Sequence, residues 1–359
     1  MNKGTHATPP APFSCTYSPN VPELLQQLQC TIALSTYQAG KVVLLSSVDG
    51  ERLIQLPRSF RKPMGIALKG QQLAIATRDE VHLLTNSPGL AAHYPPKPGI
   101  YDALFMPRAT FYTGQIDIHD LEWGKDGLYA VNTSFSCICK IDEQFSFTPV
   151  WKPAFITQLA HEDRCHLNGV AMQEGFPRYA TAFNQGNTRQ SWRENITKTG
   201  VLIDIKSGEA ILEGLAMPHS PRLYDGKLYL LLSATGELVR AEQETGRYEV
   251  VAQLDGFVRG LGRCGDFAFV GLSRLRPNSS TFAKLPMKHK ALQAGIAIVH
   301  LPSGAIAGQI RYQASVDEIY DIRLLPGLQR PNLLNTEKQE HKLGLSIPEK
   351  TYWAQPNSQ

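Results

Sequence analysis

Three histidines lie far apart in the sequence but in similar surroundings. His119, His166 and His219 each come shortly before or at the start of a short predicted strand, and each has another polar residue close by. Glu318 precedes the last predicted strand in the same way. Three imidazoles, one acid and an open position are the usual composition of a catalytic zinc or iron site. A single histidine of this kind is commonly a structural residue, so the interpretation requires equivalent positions in a repeated fold.

A second group of side chains indicates an anionic substrate. Arg222 and Arg259 lead into predicted strands, and guanidinium groups bind carboxylate or phosphate through paired hydrogen bonds. Two long loops, residues 184–199 and 273–293, are expected to lie over the same end of the fold. Long loops are also charged simply because they are solvated, which is the alternative interpretation. The residues predicted to bind substrate are Arg222, Asn168, Arg193, Arg274 and Trp192.

The fold that could bring these residues together is indicated by a repeat. Short apolar strands separated by Gly- and Asp-containing turns recur, and helical periodicity is nearly absent. Equivalent points fall at intervals of 39 to 61 residues, with four short strands in each unit. This pattern is typical of propeller blades. It predicts an all-β, six-bladed β-propeller.

The two ends of the repeat complete each other. Residues 31–56 supply only three strands, whereas residues 321–325 supply a single strand. We therefore expect the first blade to be closed by N-terminal strands together with the C-terminal strand, since closure leaves no free edge strand. The predicted organisation is a flexible tail over residues 1–24, the propeller over residues 25–330 and a polar tail over residues 331–359.

Composition excludes several classes of function. The net charge is +4, and neither a basic run nor a zinc-finger spacing is present, so nucleic acid is not an expected partner. No stretch of 18 apolar residues occurs, which argues against a membrane span. The polar, Pro-rich beginning of the chain and the scattered cysteines favour the cytoplasm. The sequence leaves the oligomeric state open.

Several motifs resemble known families. An uncharacterised bacterial family of conserved hypothetical proteins is similar over about residues 25–332; the resemblance implies the propeller but no activity. The motifs that carry it are His119-Asp-Leu, Asn132-Thr-Ser-Phe-Ser-Cys137, His166-Leu-Asn-Gly169, Met217-Pro-His-Ser-Pro-Arg222, Gly271-Leu-Ser-Arg274 and Glu318-Ile-Tyr-Asp321.

Two other propeller groups suggest site chemistry. Asn168-Gly-Val-Ala is similar to a strand of the gluconolactonase and regucalcin group, which implies a divalent cation held by Asn168 and Glu318. The peptide-amidating lyase binds zinc through three histidines with an Arg and a Tyr nearby. That resemblance implies roles for Arg259 and Tyr320 beside the three histidines.

Two functions remain open from the sequence. The first is a metal-dependent hydrolase or lyase for a small anionic substrate, with Zn, Fe or Mn held by His119, His166 and His219. Glu318 is then the fourth ligand or the general base, and the metal activates water or polarises the substrate. The second is a non-catalytic propeller that binds a protein partner or a small anion. A purely structural scaffold is disfavoured, because unpaired buried polar groups are costly.

Overall fold

The computed structural model describes residues 10–275, 285–289 and 291–355. Six four-stranded antiparallel arrays form a ring, and the innermost strand of each contacts the innermost strand of the next. The predicted all-β, six-bladed propeller is therefore confirmed. No helix among the described residues is long and apolar enough to cross a membrane.

The blades follow the chain in order, and each runs from an inner strand at the channel to an outer strand. Blade 1 consists of Asp321–Pro326, Cys30–Thr36, Lys41–Ser47 and Leu53–Ser59; blade 2 of Ile66–Lys69, Gln72–Ala76, Glu80–Asn86 and Ala103–Tyr112; blade 3 of Ile118–Trp123, Leu128–Asn132, Cys137–Ile141 and Thr148–Trp151. Blade 4 consists of Gly169–Gln173, Phe176–Ala182, Gly200–Asp204 and Ala210–Leu215; blade 5 of Pro218–Tyr224, Lys227–Leu232, Glu237–Glu242 and Arg247–Gln253; blade 6 of Phe257–Cys264, Phe267–Ser273, Gly295–His300 and Ala305–Tyr312.

Blade 1 closes the ring as predicted. Its inner strand, Asp321–Pro326, pairs antiparallel with Cys30–Thr36, in a register that runs from Cys30 opposite Pro326 to Ser35 opposite Asp321. The two ends of the propeller are thus held by a full strand pairing. Apolar side chains pack between this sheet and blade 2, where Leu44 and Ile66 belong to one buried cluster. Burial of such side chains between sheets is the main stabilising contribution.

The predicted flexible tail is wrong from Cys15 onward. Cys15–Tyr17 adds a fifth strand to blade 6, and the helix Val21–Gln27 covers the adjoining core. Val21 and Leu25 of that helix are completely buried. Two apolar residues on one face of a short helix are too few to predict that the helix packs on the propeller. Residues 1–9 of the predicted tail lie outside the described part of the chain.

The segment predicted as a polar C-terminal tail, residues 331–359, contains regular structure. Pro331–Leu333 pairs in parallel with the outer strand of blade 2. Further on, Gly344–Ser346 and Thr351–Trp353 form a hairpin, and Trp353 Nε1 donates a hydrogen bond to Leu90 O. The remaining short helices of the described residues are Pro88–Ala92, Glu340–Leu343 and the 3₁₀ turns Ser191–Arg193 and Pro286–His289.

Glycines in the inner strands let neighbouring blades approach closely at the axis. A Cβ atom on Gly169 would lie 2.3 Å from Pro221 Cδ of the next blade. One on Gly260, which has a φ of +79°, would lie 2.8 Å from the Ile322 nitrogen. The repeated small residues noted in the sequence therefore have a steric cause.

A buried network of charged side chains joins the inner strands of different blades. Arg222 of blade 5 forms two hydrogen bonds with Asp120 of blade 3, at 2.7 and 2.9 Å, and both residues are buried. Asp120 also accepts from the Val170 nitrogen of blade 4 at 3.1 Å. Arg323 of blade 1 pairs with Glu122 at 2.7 Å. Four blades are thus linked through one set of charges.

The predicted substrate contact of Arg222 is corrected by this network. Arg222 is 4% exposed, and its guanidinium group is held by Asp120, with Glu122 at 3.5 Å. Because its guanidinium group is paired with these buried carboxylates, Arg222 links the blades and does not reach a ligand at the mouth of the channel.

Asp120→Asn is expected to lower the free energy of unfolding by about 3 kcal/mol, because it removes the carboxylate that forms both short hydrogen bonds with the buried Arg222 guanidinium group and leaves only the longer contacts with Glu122 and Asp321. Chemical denaturation measures the change. The control is Asp126→Asn, which breaks the solvent-exposed pair with Lys140 and should cost much less stability, because water screens a surface pair. Equal losses in the two variants would show that the axial network is not special.

Candidate functional site

A polar pocket of about 250 Å³ opens at one mouth of the channel, at the small end of ligand-binding sites. Its walls come from the loops that lead into the inner strands and from the loops that follow the second strands. Nine of the eleven residues singled out in the sequence line it: His119, His166, His219, Glu318, Arg259, Tyr320, Arg193, Arg274 and Trp192. We call this space the channel-mouth pocket.

The leading loops hold several residues in an uncommon backbone conformation. Lys62, Asp117, His166 and Met217 all have φ between 50° and 56°, a region that residues with a side chain seldom adopt. His166 is itself one of the three histidines, and Asp117 and Met217 each lie two residues before another, His119 and His219. Such conformations cluster at functional sites because the surrounding structure must over-determine them.

His119 and His166 are in direct contact. Their ring centroids are 4.8 Å apart, with an interplanar angle of 85°. His119 Nδ1 donates a hydrogen bond to the Asp117 carbonyl oxygen at 3.0 Å, which leaves Nε2 as the acceptor nitrogen. Burial lowers the pKa of His119 well below its usual value, although Asp117 opposes the shift. His119 is therefore neutral at physiological pH.

His166 is the most completely supported of the three histidines. Its Nδ1 lies 3.0 and 3.1 Å from the two carboxylate oxygens of Asp163, and Trp192 Nε1 donates to the same carboxylate at 3.0 Å. The imidazole is flanked by Trp192, with ring centroids 4.2 Å apart, and by Phe183 at 4.5 Å. A carboxylate at Nδ1 sets the tautomer and presents Nε2 as the reactive nitrogen.

His219 lies on the far side of Phe183, whose ring centroid is 5.1 Å away. Its Nδ1 is 2.7 Å from Ser233 Oγ and donates toward the Met217 carbonyl oxygen at 3.1 Å. Burial lowers the pKa of His219 well below its usual value, and the nearby Arg259 charge adds to the effect. His219 is thus a second neutral imidazole.

Two donors beside the histidines lack partners among the described residues, and one of them belongs to Tyr320, whose ring centroid lies 5.5 Å from that of His119. The Arg259 guanidinium carbon lies 3.5 Å from the centroid of the Tyr320 ring, a cation–π contact. Tyr320 is 4% exposed, and neither its hydroxyl nor Arg259 Nη2 has a hydrogen-bond partner among the described residues. Burial raises the pKa of Tyr320 well above its usual value, so the phenol keeps its proton. Tyr37 packs edge-on against Tyr320 and donates its own hydroxyl to Glu318.

The other cations of the pocket are engaged. Arg274 pairs with Asp317 at 3.0 Å, and Lys62 pairs with Asp117 at 3.1 Å. Arg193 lies over Trp192, with its guanidinium carbon 4.2 Å from the ring centroid. Among the described residues that line the pocket, Arg259 is consequently the cation with an unbonded nitrogen, Nη2, that a ligand can reach.

Asn168 does not line the pocket, so its predicted substrate contact is corrected. Its side chain accepts a hydrogen bond from Thr181 Oγ1 at 2.8 Å and donates one to the His166 carbonyl oxygen at 3.0 Å. It supports the loop that carries His166 instead.

Sequence reasoning missed two residues next to the imidazoles, Asp163 and Phe183. Asp163 lies three residues before His166, and that Asp-x-x-His spacing was available as a signal. Phe183 directly follows the second strand of blade 4, at the level of the same mouth. Its aromatic character alone gave no indication of a position between two histidines.

The three imidazoles as placed do not form a metal centre. Across residues 10–275, 285–289 and 291–355, no three His, Cys, Asp or Glu side chains are arranged so that they could hold a metal ion. His119 and His166 are adjacent, but the Phe183 ring separates His166 from His219. Metal binding by the three histidines therefore stays a prediction.

Together the fold and the pocket define a six-bladed β-propeller with a histidine-, arginine- and tyrosine-lined pocket at one mouth. Residues 19–334 match the family described as Domain of unknown function (DUF4915). The chain belongs to this DUF4915 family. No curated protein matches the sequence.

Solved structures are similar in fold. One is a chain of "Crystal structure of Nidogen/Laminin Complex", with a TM-score of 0.50 and 10% identity, covering 83% of this chain and 99% of that chain. Another is "Structure of the Neurospora crassa Pan2 WD40 domain", with a TM-score of 0.41 and 10% identity, covering 73% and 68%. At this identity the first likeness shows the propeller fold alone.

The buried neutral histidines predict a pH dependence of stability. The pKa of His219 is low in the folded protein, so the unfolded chain binds the extra proton and stability falls as pH drops below about 6.5. Between pH 7.5 and 5.5 such a histidine lowers the free energy of unfolding by about 1.4 kcal/mol.

Denaturant titrations across this pH range should give a flatter profile for His219→Gln than for the wild type. The control is His93→Gln, at an exposed position. If His219→Gln keeps the full wild-type slope, or if the two variants flatten it equally, His219 is not the source of the pH dependence.

Proposed function

We propose that the protein binds a small organic anion, a carboxylate, in the channel-mouth pocket and acts on it as a lyase or hydrolase. The observation that carries the proposal is the pair of unpartnered donors, Tyr320 Oη and Arg259 Nη2. A buried donor without an acceptor costs about 1 to 3 kcal/mol, and more for a charged group. An anionic ligand removes that cost at both atoms.

The surrounding charges support an anion rather than a cation. Arg259 forms no ion pair within the described residues, and its charge helps to lower the pKa of both His119 and His219. The two neutral imidazoles, His119 and His219, add no positive charge. The Arg259 guanidinium group therefore supplies the positive charge beside Tyr320. A carboxylate on Arg259 and Tyr320 matches one charged and one neutral donor.

His166 is the group best suited to move a proton. Its Nδ1 is held by Asp163, and that carboxylate stabilises the imidazolium that forms when Nε2 accepts a proton. In a hydrolase His166 takes the proton of the attacking water; in a lyase it takes a proton from the substrate. Asp163 acts as a positioning residue, because it holds Nδ1 of the imidazole and does not line the channel-mouth pocket. Trp192 packs against the same imidazole and lines the pocket as well.

Tyr320→Phe keeps the ring beneath Arg259 but removes the hydroxyl donor. It is expected to weaken carboxylate binding about tenfold, the equivalent of about 1.4 kcal/mol. Arg259→Gln is expected to weaken it further, because a charge-assisted hydrogen bond is stronger than a neutral one. A panel of small monocarboxylates, screened by ligand-observed NMR and quantified by calorimetry, provides the measurement.

The chain offers a matched control at the other end of the inner strand of blade 6, the strand that contains Arg259. There Arg263 lies over Tyr224, with its guanidinium carbon 5.6 Å from the ring centroid. Tyr224→Phe and Arg263→Gln should leave carboxylate affinity unchanged. Equal losses from the two Arg–Tyr pairs, or no loss from Arg259→Gln, would refute the proposed site.

A metal-dependent hydrolase or lyase is the second candidate, favoured by the contact of His119 and His166. Both rings use Nδ1 for hydrogen bonds within the protein, and metal-binding histidines are commonly held in this way. The gluconolactonase-like and amidating-lyase-like resemblances suggest the same chemistry. A bound ion would act as a Lewis acid or activate water.

Elemental analysis of protein purified without chelator tests this candidate. Near one equivalent of Zn, Fe or Mn, lost in a His119→Ala/His166→Ala double variant, would support it. Less than about a tenth of an equivalent, with no thermal stabilisation on adding any of these ions, would leave only the metal-free function.

A further inference from the structure

A second, larger cavity of about 650 Å³ adjoins the channel-mouth pocket. Five residues line both spaces, so the two are compartments of one cleft: Lys62, Asp117, His166, Trp192 and Arg193. We call the larger space the outer compartment. His166 and Trp192 stand at the boundary, which places the proton-transferring imidazole between the two compartments.

The acids of the outer compartment are already bonded to neighbouring residues. Glu162 pairs with Arg164 at 2.7 Å, and Asp163 binds His166 and Trp192. Asp117 pairs with Lys62 at 3.1 Å. These three carboxylates, the acids that line the compartment, therefore leave little negative charge for its remaining cations.

Two arginines of the outer compartment are not neutralised. Arg78 donates only a 3.4 Å hydrogen bond to the neutral side chain of Gln115, and Arg189 forms no ion pair within the described part of the chain. Both are exposed. Nearby, Arg61 pairs with Asp79, and the two side chains are 65% and 27% exposed. Because such an exposed pair is weak, Asp79 neutralises the Arg61 charge only in part. The compartment thus presents a surplus of guanidinium groups to whatever extends out of the inner pocket.

Building on the proposed function, we propose that the ligand is an extended dianion. Its carboxylate lies at Arg259 and Tyr320, and a second anionic group, carboxylate or phosphoryl, lies at Arg78 and Arg189. Guanidinium groups bind either group through paired hydrogen bonds. The bonds between the two ends then pass His166 at the boundary, where a proton can be taken or returned.

The test uses calorimetry with three matched series of ligands of increasing chain length: monocarboxylates, α,ω-dicarboxylates and ω-phosphonocarboxylates. At the chain length that spans the two compartments, a dianion should bind the wild-type protein at least tenfold more tightly than the monocarboxylate of the same length. The Arg78→Gln/Arg189→Gln double variant should lose this gain and keep monocarboxylate affinity within about twofold. The better of the two dianion series identifies the second group.

The control is Arg108→Gln/Arg247→Gln, which removes the same charge from exposed positions on the outer strands of blades 2 and 5. A gain that survives in the Arg78/Arg189 variant, or that falls equally in the control, overturns the dianion while leaving the inner site intact. If Arg259→Gln leaves binding of every series unchanged, or no ligand binds the wild type, the proposed function fails as well.

Discussion

The convergence of inner strands at the propeller axis is the constraint on which the rest of the structure depends. Asp120 and Arg222, 102 residues apart in the chain, form a buried two-bond pair there. Asp321 accepts a hydrogen bond from the Ile66 nitrogen of the next blade at 2.9 Å, so the closing strand joins the same system. Because the blades are held in register at this level, His119 and His166 meet one layer above it.

The repeat made the fold predictable, whereas the direction of individual side chains was not. Strand alternation is regular only without bulges, and the pairing of blade 5 shifts register between His219 and Arg222. His219 therefore lines the mouth while Arg222, three residues later, enters the ion network. The ends of the chain were missed for another reason: Cys15–Tyr17 owes its structure to pairing with a distant outer strand, and local sequence carries little of that information.

The pocket residues were largely predictable, because they lie near the start of an inner strand or on a loop that follows a second strand at the same mouth, but their partners were not. His166 could be selected from its position, whereas the support of its imidazole by Asp163 and Trp192 depends on how a long loop folds back. The same holds for Arg259. Its stacking on Tyr320 brings together blades 6 and 1, and the lack of acceptors at both groups follows only from three-dimensional placement.

We propose, above all, that Arg259 and Tyr320 form an anion site at the mouth of the propeller. Anomalous scattering from crystals soaked in bromide tests it most directly, since the halide needs no knowledge of the natural ligand. We predict a bromide peak within hydrogen-bonding distance of Arg259 Nη2 and Tyr320 Oη. Bromide at surface sites, with water alone bonded to these two atoms, would contradict it.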